Sequence, residues 1–293
     1  MNNLTFSGHE SFICKQLWLK KAFDFANEGR SFNDETSVID LGVGKNMVAS
    51  LRFWGKAFEM LTERDAPTEL AQYLFGKNGK DVYLEDYGTI WLLHYHLVKT
   101  GKASIYNLVF NEFRRERVDF TREQLLGFLI RKCREFNANT DNENTIQRDI
   151  NIFLRTYIKP QKDERVEVED DFAGVLMDLD LVKHYKQRNA EGKMTDWYKI
   201  EGDERPDLPY QIILYVILDN YRGQRSITLR ELQVGQNSPG TIFALNGEGL
   251  HNKLNRITEE YNEAVYTETA GNQLFQLKKE LKPQDILNDY YGR

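Results

Sequence analysis

Cysteine is nearly absent from this chain of 293 residues: Cys14 and Cys133 are its only two, without CxxC spacing or a histidine pair beside either. A disulfide framework or a zinc site is therefore not expected, no metal ligand is assigned, and a reducing cytosol is the compartment that suits such thiols. Proline is scarce as well, with six in all, so the pair Pro206 and Pro209 stands out as a boundary that no helix interior crosses. Long apolar runs are missing: none approaches the roughly 20 residues that a membrane span needs. The opening Met1-Asn2-Asn3-Leu4-Thr5-Phe6 has neither the basic start nor the apolar core of a secretory signal. A cytoplasmic protein with no membrane partner is the expectation. Positive charge is also in deficit, with 39 basic against 45 acidic residues and a net charge of −6. Affinity for nucleic acid comes largely from neutralised phosphates, so any such surface here must be local.

What is present is apolar matter for sizeable cores. Hydrophobic residues make up 41% of the chain and aromatics 12%, which excludes disorder as its main state. The length suits roughly two domains of about 150 residues. Basic residues are unevenly spread: Lys99, Lys102, Arg114, Arg115, Arg117, Arg122, Arg131, Lys132 and Arg134 face only Glu112, Glu116, Asp119 and Glu123 across the same stretch. Asp163 to Asp171 is acidic in turn. Either run serves equally well as solvated surface.

The most informative residues are Leu41-Gly42-Val43-Gly44-Lys45-Asn46-Met47-Val48. Gly42 follows an apolar stretch (Val38, Ile39, Leu41) where a first helix has to end, and glycine takes a left-handed cap without strain. Val43 then fills the gap between two helices. Met47, Leu51, Trp54 and Phe58 follow at spacings of four, three and four, one apolar stripe of a second helix from Lys45 to Leu61. Lys45, Ala49, Arg52 and Lys56 lie on its other side. A helix apolar on one face and basic on the other, entered through a tight turn, is the recognition element of a helix-turn-helix. The G-x-G-K within it lacks the spacing of a phosphate loop, since Ile39 stands where the first glycine belongs and Asn46 where Ser or Thr does.

The same plan recurs twice. Ile105 to Arg114 is a helix, and Thr121 is a plausible cap, with Glu123 and Gln124 behind it, for another. After a polar loop, whose last residue Asn144 is a candidate cap, Ile146, Ile150, Phe153 and Tyr157 line one side of a helix and Arg148, Asn151 and Arg155 the other. Leu181 to Tyr185 and Trp197 to Ile200, around a polar tip at Asn189 to Gly192, read as a strand pair or wing. Beyond the prolines come a helix through Tyr210 and Tyr221, a short strand and helix at Ser226 to Leu232, a helix through Leu250 and Tyr261, and a hairpin from Ala264 to Leu277. The fold class expected is α+β, mostly α, as tandem winged-helix units spanning 1–102, 103–205 and 206–293.

Two polar clusters invite catalytic readings. In Gly8-His9-Glu10-Ser11 neighbouring side chains diverge on extended backbone, which favours His9 in a buried hydrogen bond with Ser7 or Ser11 as a helix cap. His94 and His96 are two apart and do not share a helix face, so metal chelation there would require a strand. A metal-dependent DNA nickase using His9, Glu10 and the group Glu85, Asp86 and His94 is the rival from another class. No nucleophile motif is present.

Taken together, Phe6-Ser7-Gly8-His9-Glu10-Ser11-Phe12, Trp18-Leu19-Lys20-Lys21, Leu41 to Val48, and Leu84-Glu85-Asp86-Tyr87-Gly88-Thr89-Ile90-Trp91-Leu92-Leu93-His94 resemble a bacterial family known only as a domain of unknown function. The ordered set spans the first third of the chain. The resemblance implies a locus shared with sulfurtransferase-like enzymes similar to phosphoadenosine phosphosulfate reductase, in DNA phosphorothioation and phage defence. It assigns no catalytic residue and no cofactor.

The combined expectation is a DNA-binding accessory subunit that docks duplex DNA and a protein partner from a sulfur-transfer or defence complex. Asn46 suits adenine edges, Arg52 guanine edges, and Lys45 and Lys56 phosphates, with Arg148, Asn151 and Arg155 forming the second face. A structural adaptor that never touches DNA is the third reading, which the net charge keeps open.

Overall fold

The computed structural model describes residues 4–137, 142–160, 174–188, 192–269 and 272–292, and the chain forms two compact units, Met1–Ile200 and Glu201–Arg293. It is an α+β protein, about half helical, with two small antiparallel sheets. No helix among the described residues is long and apolar enough to cross a membrane.

In the first unit, Lys15 pairs with Gly174 in an isolated antiparallel bridge, and α1 (Trp18–Asn27) starts just after it. Helix α2 (Ser37–Leu41) ends at Gly42 with φ of 62°, and the Val43 N–H reaches back to the Val38 carbonyl at 3.2 Å, which closes the turn as expected. Helix α3 (Lys45–Ala57) then buries Val48, Leu51 and Trp54. It stops short of Leu61: Glu59 turns left-handed with φ of 60°, and the N–H groups of Met60 and Leu61 both fold back onto the Gly55 carbonyl. Leu61 bridges to Pro67, and no strand pair follows this segment among the described residues. Instead come α4 (Glu69–Phe75), capped by Thr68, and α5 (Tyr87–Thr100), capped by Asp86 and buried along almost its whole length.

The remainder of this unit runs α6 (Ser104–Leu108), a π-helical turn at Val109–Phe113, α7 (Arg114–Glu116), β1 (Asp119–Phe120), α8 (Arg122–Glu135), α9 (Glu143–Tyr157), β2 (Lys183–Arg188) and β3 (Met194–Lys199). Thr121 caps α8 in a reciprocal box with Gln124, as the spacing suggests. Helix α9 is capped by Asn142 rather than Asn144, whose own N–H the Asn142 side chain accepts. The sheet order is β1-β3-β2, with His184 opposite Tyr198 and Asp119 opposite Lys199. The acidic run at 163–171 and most of the expected wing tip, 189–191, lie outside the described residues. Residues on either side of position 102 share one core, where Tyr106 meets Trp54 edge-on at 6.0 Å.

The second unit repeats that order: α10 (Tyr210–Asn220), β4 (Ser226–Thr228), α11 (Leu229–Val234), a short α12 (Pro239–Ile242), α13 (Gly247–Glu260), β5 (Ala264–Thr269) and β6 (Asn272–Leu277). Pro209 immediately precedes α10, and β4 pairs with β6, giving the order β4-β6-β5. Helix α14 (Pro283–Tyr291) packs against α10. The expected turn at 270–271 lies outside the described residues.

The Thr121 box satisfies two backbone groups at the start of α8, so Thr121→Ala is expected to lower unfolding free energy by about 1 kcal/mol. A shift in the urea midpoint at unchanged slope would verify this, and an unmoved midpoint would contradict it.

Candidate nucleic-acid interface

On α3, Lys45 and Asn46 stand exposed in the first turn. Arg52 is differently placed. Its Nε and Nη2 donate to the two carboxylate oxygens of Asp65 at 2.8 and 2.6 Å, and its Nη1 donates to the Asn33 side chain at 3.0 Å. Lys56 joins the same carboxylate at 2.9 Å and also donates to the Glu63 carbonyl. Partial burial pushes the Asp65 carboxyl up, but the hydrogen bonds from Arg52 and Lys56 outweigh it and hold the group below the usual carboxylate range. Arg52 is raised in return, chiefly by its hydrogen bond to Asp65. A bidentate fork on a carboxylate is the geometry that Arg would use on guanine, so Arg52 is already occupied.

Helix α9 presents the opposite situation. Ile146, Ile150, Phe153 and Tyr157 are buried, while Arg148, Asn151 and Arg155 are exposed along one outer face. Neither Arg148 nor Arg155 has a carboxylate partner among the described residues. The Asn151 side-chain Oδ1 accepts from Arg122 Nη1 at 2.7 Å, and Arg122 Nε donates to the Tyr198 hydroxyl at 2.8 Å. Arg122, which sequence reasoning left in a general basic run, thus ties the start of α8 to the outer face of α9 and to β3. Its guanidinium lies 5.7 Å from the Tyr198 ring centre.

The inner face of α9 carries Asp149, and here the Gly8-His9-Glu10-Ser11 segment finds its use. His9 is buried; its Nδ1 accepts from the Ser11 N–H at 3.1 Å, which leaves Nε2 to donate to Asp149 at 2.9 Å. The same carboxylate oxygen accepts the Ser7 N–H at 2.8 Å. The imidazole stacks on Trp54 of α3, whose Nε1 donates to the Phe12 carbonyl at 3.0 Å. The buried role for His9 is therefore met. The helix cap assigned to Ser7 or Ser11 is not: Ser7, Glu10 and Ser11 all sit at positive φ in a tight turn seven or more residues ahead of α1. Glu10 points to solvent.

Of the residues of the nickase reading, Asp86 and His94 are not brought together. Asp86 caps α5 by accepting the Thr89 N–H, and His94 is buried two turns further on, with Nδ1 2.9 Å from the Tyr157 hydroxyl. Asp86 and His94 are thus separated by about 12 Å of helix. His96 turns to another side and meets Glu59 at 2.7 Å. No group of three or more His, Cys, Asp or Glu suited to a metal ion occurs among the described residues.

Over residues 6–291 the chain matches the family described as a protein of unknown function (DUF4007), and it belongs to that family. Among solved structures it is similar to the SspB crystal structure, with 26% identity and a TM-score of 0.84, covering 98% of this chain and 88% of that one. A magnesium ion-bound SspB crystal structure is similar to the same extent, with 26% identity, a TM-score of 0.82 and the same coverage. No curated protein matches it.

Two measurements probe this arrangement. Asp149→Ala leaves the buried His9 N–H without an acceptor and is expected to cost about 3 kcal/mol in chemical denaturation; a loss under about 0.5 kcal/mol would contradict the bracing role. The Asp65 contribution to stability is complete above an ordinary carboxylate value of about 3.9 and lost as pH falls through its depressed native value. Asp65→Asn should accordingly flatten the acid limb of the stability–pH curve, and an unchanged limb would refute the pairing.

Proposed function

We propose that this family member is a DNA-binding accessory subunit of a DNA phosphorothioation system with a role in phage defence. It docks duplex DNA through α9 and holds a partner enzyme of that system. The observation that carries the reading is the outer face of α9, where Arg148 and Arg155 have no carboxylate partner among the described residues and flank Asn151. An anionic ligand that brings its own phosphates is what such a face suits.

Two further observations support it. Helix, strand, two helices and a hairpin, with the first strand pairing to the last, is the order of a winged helix; residues 104–199 follow it, and residues 210–277 follow it with the short α12 added between the two helices. In that fold α9 is the element that enters a major groove. Similarity to SspB, a phosphorothioation-associated protein, supports membership of such a system.

The other two comparable helices are less suited. On α3, Lys45 and Asn46 offer side contacts, whereas Arg52 and Lys56 reach DNA only if it displaces Asp65. The exposed side of α13 carries Glu248, Glu259 and Glu260, with Arg256 already paired to the last two. This helix is assigned to protein contact, in line with the second unit's fourteen acidic and ten basic residues.

Fluorescence anisotropy on short duplexes across a salt series, with plain and phosphorothioate DNA in parallel, tests the reading. Binding should weaken with salt at a logarithmic slope of about 0.9 per phosphate contact. Arg148→Glu with Arg155→Glu is expected to reduce affinity at least tenfold and the slope by about 2. Absence of binding by the unaltered chain at low salt would overturn the DNA reading in favour of the protein adaptor.

A further inference from the structure

We infer that the β2–β3 hairpin is a second DNA contact, in which Lys186 and Arg188 hold the phosphate backbone beside the groove that α9 occupies. The inference rests on the DNA reading of α9 and adds residues that neither the helix-turn-helix pattern nor the basic run pointed to.

Antiparallel pairing fixes which side chains share a face. His184 lies opposite Tyr198, Lys186 opposite Asp196, and Arg188 opposite Met194, so all six project from one side of the hairpin. That side is the one turned to the helices, because Tyr198 is buried and its hydroxyl is held by Arg122, which also holds Asn151 on the outer face of α9. Starting from His184, the same side continues outward to Lys186 after about 7 Å and Arg188 after about 13 Å. Both are exposed. Asp196, the carboxylate facing Lys186, is taken by His184 Nε2 at 2.8 Å, and neither cation has an ion pair among the described residues. On the opposite side Lys183 is already bound to Asp180 at 2.9 Å.

The chemistry on this side also says what kind of contact it makes. Its aromatic ring, Tyr198, is covered by the stacked His184 imidazole at 5.3 Å, so it offers no platform on which a base can stack. Two cations that have no ion pair among the described residues, with neither an accessible aromatic ring nor an amide placed for a base edge on the same side, read charge and spacing. Such contacts add affinity and orientation without sequence preference. Arg122 spans the two surfaces, so helix and hairpin meet the duplex as one body.

Lys186→Gln with Arg188→Gln tests this in the full chain, beside a charge-preserving Lys186→Arg with Arg188→Lys control and the Arg148→Glu, Arg155→Glu variant. Circular dichroism establishes that each is folded. The glutamine pair is expected to weaken duplex binding about tenfold, equally on unrelated sequences, and to lower the salt slope by about 1.8, from 0.9 for each lost contact. The control should keep the unaltered slope. If the α9 variant loses binding while the glutamine pair retains both affinity and slope, the hairpin contact is overturned and the α9 reading stands. If the unaltered chain does not bind duplex at low salt, both fall together.

Discussion

The Asp149 carboxylate is the point on which the first unit turns. From the inner face of α9 it accepts the His9 side chain and the Ser7 backbone, while the His9 ring lies against Trp54 in the middle of α3. The two helices that carry the candidate basic faces are thereby held through one short loop. A buried carboxylate without donors is costly, so the loop cannot leave without exposing a large penalty. Arg148, one residue earlier on the same helix, owes its outward direction to this inward anchor: the position of Asp149 sets the rotation of α9, and with it which residues face solvent.

Charge on the surface is governed by local capture more than by composition. Arg52 and Arg148 have the same side chain on comparable helices, yet one is clasped by Asp65 and the other has no carboxylate partner among the described residues. An anionic ligand would have to compete with a bidentate ion pair in the first case and would only replace water in the second. An acidic polymer would meet a protein that is acidic overall at those cations that its own carboxylates have not captured. The same logic gives Arg122 its place, since it is spent on Asn151 and Tyr198 and acts as a strut between helix and sheet.

Much of this was legible from residue order. Gly42 announced its left-handed turn, Thr121 and Gln124 their reciprocal cap, and the stripes on α3 and α9 their buried sides, because each signal lies within a few residues of its partner. What stayed hidden depends on distance along the chain or on short, weak patterns. Strand β1 has two residues and exists only because Phe120 pairs with Tyr198. Helices α4 and α14 run seven and nine residues, too short for periodicity to speak clearly. The overlong reading of α3 failed at Glu59, where a left-handed residue that is not glycine ends the helix. The capture of Arg52 by Asp65 thirteen residues on carries no local signature. Nor does the use of His9, since its acceptor lies 140 residues away.

That separation has a consequence for how the molecule comes into being. Ser7, Glu10 and Ser11 occupy a left-handed conformation that costs each of them of order 1 kcal/mol or more, and its principal compensation is a carboxylate not yet made when they emerge. During synthesis at about 5–20 residues per second, the loop waits for roughly 7–28 seconds before α9 appears. Until then the Trp54 side of α3 has no imidazole fixed against it. The packing of α3 is therefore finished by α9, and a nascent chain interrupted before residue 149 holds an open, apolar seam of the kind that chaperones recognise.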